Sequence, residues 1–330
     1  AIKYLFSKEN EGKRFINKLE EAYFLSAAYS QYRKIQKEVD KIGITDKDEV
    51  FLYSYWLYIN AKVATLLKDN FDNKNIKVKA FSRAHRFDIY EERRKYHYLP
   101  HRKHLLNDLD YVFPCSTDGK NHISSNYPKY KSKIQTSYLG TYDHGLNPNK
   151  SNDNFFVIVS CSWLIEVKRV DMIIESLATI KNKKIKWIHL GGGPLQDELE
   201  NLANKKLINI EYKISGNMTN KEILEFYKNN HIDLFVNVSS SEGLPVSIME
   251  VASFGIPILA TDVGGTSEIV SYKNGKLIPE NINIKDLAKE FENFINDKQI
   301  NQKRKNSRII WKEKFDAKKN YKNFIEKVIK

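Results

Sequence analysis

Residues 239–250, Ser-Ser-Ser-Glu-Gly-Leu-Pro-Val-Ser-Ile-Met-Glu, hold the groups in this chain best placed for chemistry. They follow an apolar run at 233–238 that reads as a buried strand, and Pro245 suits the first position of a short helix, where a missing N–H costs nothing. Gly255 and Pro257 end that helix, and a second apolar run at 256–260 follows. The order is strand, glycine-containing loop, helix N-terminus, strand. The free N–H groups of a helix N-terminus attract anions. One carboxylate, Glu242, sits in the loop ahead of that terminus, and a second, Glu250, lies about two turns further along.

The elements around this stretch alternate. Residues 1–42 read as helical, 49–56 as a strand, 59–67 as a helix, 76–81 as a strand, 89–109 as helical and 111–116 as a strand, with a helix from about Gly119. Residues 139–150 are rich in turn formers and read as a linker. Alternation resumes with a strand at 155–161, a helix at 170–181, a strand at 185–190, a helix after Pro194, a strand at 208–213 and a helix after Thr219. Residues 311–329 read as one amphipathic basic helix. Repeated β-α-β order predicts an α/β protein with parallel sheets.

With 330 residues the chain is long enough for two domains. It contains no run of about 18 apolar residues and opens at Ala1 without a signal peptide, which points to the cytoplasm. Cys115 and Cys161 lie in apolar runs and read as reduced, buried thiols. Of the net charge of +13, residues 1–150 carry +9. That excess suits an anionic partner such as phospholipid headgroups, a lipid diphosphate or nucleic acid, or else reflects a composition biased toward Lys and Asn. No nucleic-acid-binding module is recognisable.

The run SEGLPVSIMEVASFGIPILATDVGG, with its Glu-x7-Glu spacing, resembles the signature of GT-B nucleotide-sugar glycosyltransferases, most closely the retaining family GT4. The resemblance implies two Rossmann-like domains facing a cleft. Residues 1–146 would be the acceptor-side domain, 147–310 the donor-binding domain, and 311–330 a helix crossing back. Family members open with a strand and a Gly-rich loop. Nothing similar precedes residue 50, so the N-terminal domain is expected to be truncated at its start.

Such an enzyme must stabilise the charge that grows on a leaving diphosphate and the cationic character of the sugar. By resemblance, Glu242 contacts the donor sugar, Glu250 holds the ribose diol, and the backbone of Gly243, Leu244 and Val246 meets the diphosphate or sugar. Lys168 matches the family's diphosphate-clamping Lys. The family's Arg position is taken by Trp163, which reads as a packing residue, and Arg169 is the candidate to compensate. Gly216 belongs to a segment that resembles the family's loop whose backbone faces the nucleotide base, the turn at 191–194 reads as mainly structural, and Glu268 could bind donor or serve its helix start. His85, just past a strand, matches a His close to the reaction centre. Arg83 and Arg86 flank it and could meet acceptor phosphate. His97, His101 and His104 read as a polar helix face, and Asp108-x-Asp110 as a helix end. No metal or other cofactor is expected.

The resulting expectation is a retaining glycosyltransferase moving a sugar from a nucleotide-diphosphate donor to a glycan or lipid-linked acceptor. The setting would be bacterial surface polysaccharide biosynthesis, with peripheral contact at the inner face of an anionic membrane. Two alternatives stay open: a degenerate GT-B domain that binds a nucleotide sugar or partner without transfer, and an enzyme acting on nucleotide sugars without an acceptor.

Overall fold

The computed structural model describes residues 14–149 and 154–329, which form two compact units. The first holds the described residues up to Tyr138 and the last residues of the chain from Glu326; the second runs from Leu139 to Ile325.

In the first unit, β1 (Glu49–Ser54), β2 (Lys77–Ala84) and β3 (Tyr111–Pro114) form a parallel sheet in the order β1-β2-β3. Helices Phe15–Ile42, Ile59–Asp72, Arg102–Asp108 and Thr117–Asn126 accompany it. Phe24, Leu57, Ala61, Ala80, Leu105 and Val112 are buried together in the core. β2 is longer than its apolar pattern predicts, because pairing continues through Ser54↔Ser82 and Ala84↔Pro114. Ser82 and Arg83 thus lie inside the strand, fully buried.

The helix expected at 89–109 is not formed. A 3-10 turn, Glu91–Arg93, and the short helix Arg102–Asp108 replace it. His97 and His101 adopt left-handed backbone angles, φ 49° and 60°. Pro100 disfavours helix at its predecessor. The buried Glu21 carboxylate takes both the His101 N–H, at 3.0 Å, and its Nδ1, at 3.1 Å. The three histidines therefore share no helix face; His101 and His104 instead stack their rings 4.2 Å apart.

The second unit is a six-stranded parallel sheet in the order β6-β5-β4-β7-β8-β9. Its strands are β4 (Phe156–Cys161), β5 (Ile185–Leu190), β6 (Glu211–Ile214), β7 (Leu234–Asn237), β8 (Ile258–Thr261) and β9 (Gly275–Ile278). β7 and β8 are buried at every residue, as expected of parallel strands covered on both faces. Ile158, Trp187, Leu234 and Phe291 lie at the centre of the core. The strand order reverses between β4 and β7, and in such sheets ligands bind outside the carboxyl ends at the point of reversal.

Residues 311–329 are not one helix. Ile300–Lys314 ends at Phe315, and Ala317–Ile329 starts anew. The interruption has a partner. The Thr141 N–H donates to the Phe315 carbonyl at 3.0 Å, and the Ala317 N–H donates to the Thr141 carbonyl at 3.1 Å. Gly140 permits the approach, since a Cβ there would lie 2.5 Å from the Phe315 oxygen. Among the described residues no helix is long and apolar enough to cross a membrane.

One buried cation fastens the segment leading into this unit. Arg304 donates to the carbonyls of Ile232 (2.6 Å), Asn147 (3.1 Å) and Pro148 (3.0 Å), and to the Asn147 side-chain oxygen (2.9 Å). Asn147 in turn donates to the Tyr227 and Asn230 carbonyls. Removing the guanidinium strands several buried acceptors, each costing about 1–3 kcal/mol. Arg304→Ala is expected to lower unfolding free energy by about 3 kcal/mol in denaturant titrations. Arg304→Lys, with one donor group instead of a fork, should recover only part of it.

Candidate functional site

The loops after β4 and β7 flank the reversal point and are stitched together. The Ser240 N–H donates to the Val167 carbonyl at 2.9 Å. Arg169, left-handed at φ 48°, starts the helix Val170–Ala178 and commits its guanidinium to backbone: Nε to the Val238 carbonyl and Nη1 to the Glu280 carbonyl, both at 2.7 Å. It therefore ties three loops. Its neighbour Lys168 points elsewhere, placing Nζ 2.6 Å from Glu242 Oε1. Asn237 Nδ2 donates to the same oxygen at 3.3 Å. The lysine and carboxylate are 22% and 11% exposed, so the pair is shielded but reachable.

The backbone that carries Glu242 rests on two glycines. The Gly265 N–H donates to the Gly243 carbonyl at 2.7 Å. Gly264 has φ 54°, and a Cβ there would lie 2.0 Å from the Glu242 carbonyl oxygen. The stretch 264–268 is a 3-10 turn rather than the start of a longer helix, and its glycines make room for the Glu242 loop. Pro245 takes the cap position, one residue earlier than its sequence suggests, and Val246–Ser253 follows. The first helical bond runs from the Met249 N–H to the Pro245 carbonyl, and the N–H groups before it have no acceptor within the helix. Leu244 is buried, whereas Val246 is exposed at the helix mouth.

Glu250 sits on the buried side of that helix. Asn220 Nδ2 donates to its Oε1 at 2.7 Å. Burial pushes the Glu250 carboxyl above its ordinary range, and the Asn220 bond pulls it back in part. Asn220 opens a helix fixed by a capping box between Thr219 and Glu222. Beside Glu250, burial raises the Cys161 thiol to about 11 and pushes the Tyr227 phenol up. Both cysteines are free thiols; Cys115 is buried and Cys161 partly so.

Gly191, Gly193 and Gly216 all have positive φ; Gly191 and Gly193 bring the turn after β5 against 162–164, while Gly216, after β6, lies against Gln196 and bridges to Gly191. The Leu164 N–H donates to the Gly192 carbonyl at 2.8 Å, so this turn supports the loop that delivers Lys168. His189 supports it as well. Its Nε2 faces the Ser162 carbonyl at 3.1 Å, which can only accept, so Nε2 carries the proton and Nδ1 accepts from Ser160 Oγ at 2.8 Å. Burial lowers its pKa to about 4, and the ring is neutral. Trp163, expected to pack, is instead 54% exposed.

His85 follows β2 in the first unit. It is 9% exposed, with its ring 4.5 Å from Tyr55 and 4.6 Å from Trp56. Burial, with help from Arg83, lowers its pKa to about 4. Asp88 accepts from the His85 N–H at 2.6 Å and the Leu57 N–H at 2.7 Å, and burial lifts its carboxyl to about 6. Arg83 donates to the Ser137 carbonyl from a fully buried position, which removes it as a ligand for acceptor phosphate. Asp108 and Asp110 bond to different lysines, Lys62 and Lys68.

The structure thus brings Lys168, Glu242, Gly243 and the Val246 helix mouth together, with Glu250 further along the same helix. Sequence reasoning missed Asn220, Asn237 and His189, and read Gly264 only as part of the turn that opens the next helix. The sequence places a helix after Thr219, but no local pattern marks Asn220 as a partner for Glu250, and a histidine in an apolar strand carries no signal.

Comparison with known proteins adds to this geometry. The family model described as "Glycosyl transferases group 1" matches residues 146–326. The O-antigen biosynthesis glycosyltransferase WbnH of Escherichia coli is 36% identical over 107 residues, 32% of this chain and 29% of that protein. The chain spans half or less of the length of the curated relatives it matches. Among solved structures, apo WaaB, a lipopolysaccharide outer core galactosyltransferase, aligns with TM-score 0.70 and 17% identity, covering 94% of this chain and 82% of its own. HepE from Anabaena, in complex with UDP, aligns with TM-score 0.67 and 16% identity, covering 90% and 81%.

Proposed function

The chain belongs to the glycosyl transferases of group 1 and has the GT-B fold of its structural neighbours, and from that premise we infer a retaining enzyme. It moves a sugar from a nucleoside-diphosphate donor to a glycan or lipid-linked acceptor in bacterial surface polysaccharide assembly. The carrying observation is the Lys168–Glu242 pair at the mouth of the helix Val246–Ser253, with Glu250 held on the same helix by Asn220. Lys168 and the first-turn N–H groups present positive charge to a leaving diphosphate, without a metal. Glu250 offers two acceptor oxygens to a ribose diol. Glu242 stabilises the cationic sugar while the leaving phosphate takes the acceptor proton. Polysaccharide assembly is supported by the name of the WbnH relative. The basic first half supports a cytoplasmic enzyme that docks on anionic membrane, which low-salt binding to anionic liposomes would test.

The deciding experiment is a thermal-shift panel of UDP, GDP, ADP, CMP and their sugars, with and without EDTA. One nucleotide family should raise the melting temperature with EDTA present. No shift from any of them, with the protein folded, would overturn the reading. The exposed Trp163, where the family carries Arg, favours one rival: a domain that binds donor without transfer. Slow release of free sugar from the donor would exclude that rival.

The raised Glu250 carboxyl sets a pH dependence. A carboxylate with an elevated pKa takes up its proton at higher pH than usual, and the protonated form loses acceptor capacity. Donor Kd should therefore rise on mild acidification, before ordinary carboxylates titrate. Glu250→Gln should bind donor more weakly and flatten that profile, as isothermal titration across pH 4.5–7.5 would show, with the interval spanning roughly the carboxylate-to-neutral range.

A further inference from the structure

A second concave feature lies wholly in the first unit. Residues 55–58 leave the carboxyl end of β1, and His85 and Phe87 leave the carboxyl end of β2. These ends lie on the same edge, because the strands are parallel. That edge is where open α/β sheets bind ligands. A cavity of about 310 Å³ opens there, lined by Gln31, Trp56, Tyr58, Ile59, Asn60 and Phe87.

Its shape is a box of rings. Phe87 stands nearly perpendicular to Trp56, at 87° and 6.3 Å, and to Tyr58, at 77° and 6.2 Å. Trp56 and Phe87 stay 40% and 48% exposed. The box is held in advance of any ligand. Ser54 Oγ donates to the Trp56 carbonyl at 2.6 Å, and Asp88 joins the Leu57 and His85 backbones. Arg94 lies over the Tyr58 and Phe87 rings at 4.7 and 4.6 Å and donates to the Tyr58 hydroxyl.

We propose that this box is a carbohydrate subsite that stacks one pyranose ring of a glycan on Trp56 and Phe87, with the Gln31 and Asn60 amides taking its hydroxyls. The C–H face of a sugar ring is apolar and packs on an aromatic face, while its rim of hydroxyls both donates and accepts, as a neutral amide does. A lipid chain would strip water from both amides and give nothing back. A phosphate would need a cation, and Arg94 is already engaged by the two rings and faces Glu20 at 3.9 Å. The cavity is at the small end for ligand pockets, sized for one ring rather than a long chain. That the bound sugar belongs to the acceptor rests on the transferase reading above; that the box binds sugar does not.

Saturation-transfer NMR on the full chain tests this without donor. The probes are the methyl β-glycosides of glucose, galactose and N-acetylglucosamine, with lactose, and dodecyl phosphate as the lipid probe. At least one glycoside should show transfer to its ring C–H protons, falling by about fivefold or more in Phe87→Ala and in a Gln31→Ala/Asn60→Ala double variant. Both variants must keep the wild-type circular dichroism. Silence from every glycoside, a signal that survives in both variants, or a response to dodecyl phosphate alone would each overturn the proposal. Glycoside binding without any nucleotide-induced thermal shift would leave the subsite standing and remove the transferase reading.

Discussion

Glu242→Gln is expected to lower turnover by about 10²–10³-fold while changing donor affinity little. The substitution keeps an oxygen that can accept from Lys168 and Asn237, so the loop need not move. What it removes is the negative charge opposite a developing cation, and an interaction that strengthens only in the transition state appears in kcat rather than in binding. Lys168→Met should behave differently. Its ammonium meets charge already present on the bound diphosphate, so donor Kd should weaken along with kcat. It also leaves the Glu242 carboxylate, 11% exposed, without its cation. Single-turnover kinetics beside donor titrations separate the two patterns. Wild-type kcat in folded Glu242→Gln would end the assignment of this carboxylate.

The second half of the chain was readable because its central strands, β7 and β8, are buried on both faces. A run such as 233–238 has no polar alternation to confuse it, and Gly255 and Pro257 punctuate the next connection. The segment 89–109 misled for the opposite reason. Its local preferences allow helix, but Glu21, some 80 residues away, takes the His101 backbone and ring, and no local pattern reports that. The break at Phe315 has the same origin, since Thr141 supplies the bonds that end one helix and begin the next. In the site, Glu242 and Glu250 were legible from their spacing and flanking turn residues. The division of labour between Lys168 and Arg169 was not. Adjacent residues of like charge differ only in direction, and the left-handed turn at Arg169 sends its guanidinium to two carbonyls while Lys168 turns to Glu242. Asn220 was invisible because its partner lies 30 positions on.

Gly264→Ala should abolish most activity without unfolding the protein, and a second glycine supplies the control. At Gly264 two effects coincide. The backbone is left-handed at φ 54°, which a side chain tolerates at a cost of about 1–2 kcal/mol. The added methyl would also meet the Glu242 carbonyl oxygen at 2.0 Å, its carbon at 2.9 Å and the Gly243 oxygen at 3.1 Å. None of these is a side-chain tip that can swing away, so the Glu242 loop itself must shift, and a displacement of about 1 Å at a reacting group can cost about 10²-fold in rate. Gly43 ends the helix Phe15–Ile42 with a similar angle, φ 73°, but nothing lies within 4 Å of its missing Cβ. Gly43→Ala therefore carries the backbone cost alone: it should lower stability by about 1 kcal/mol and leave kcat unchanged. Comparing the two variants by melting and by turnover separates strain from contact. Equal kcat in both would mean that the Glu242 loop does not depend on the fit between residues 242–243 and 264–265. A loss confined to Gly264→Ala would locate a determinant of the site in the close fit of a residue that carries no side chain.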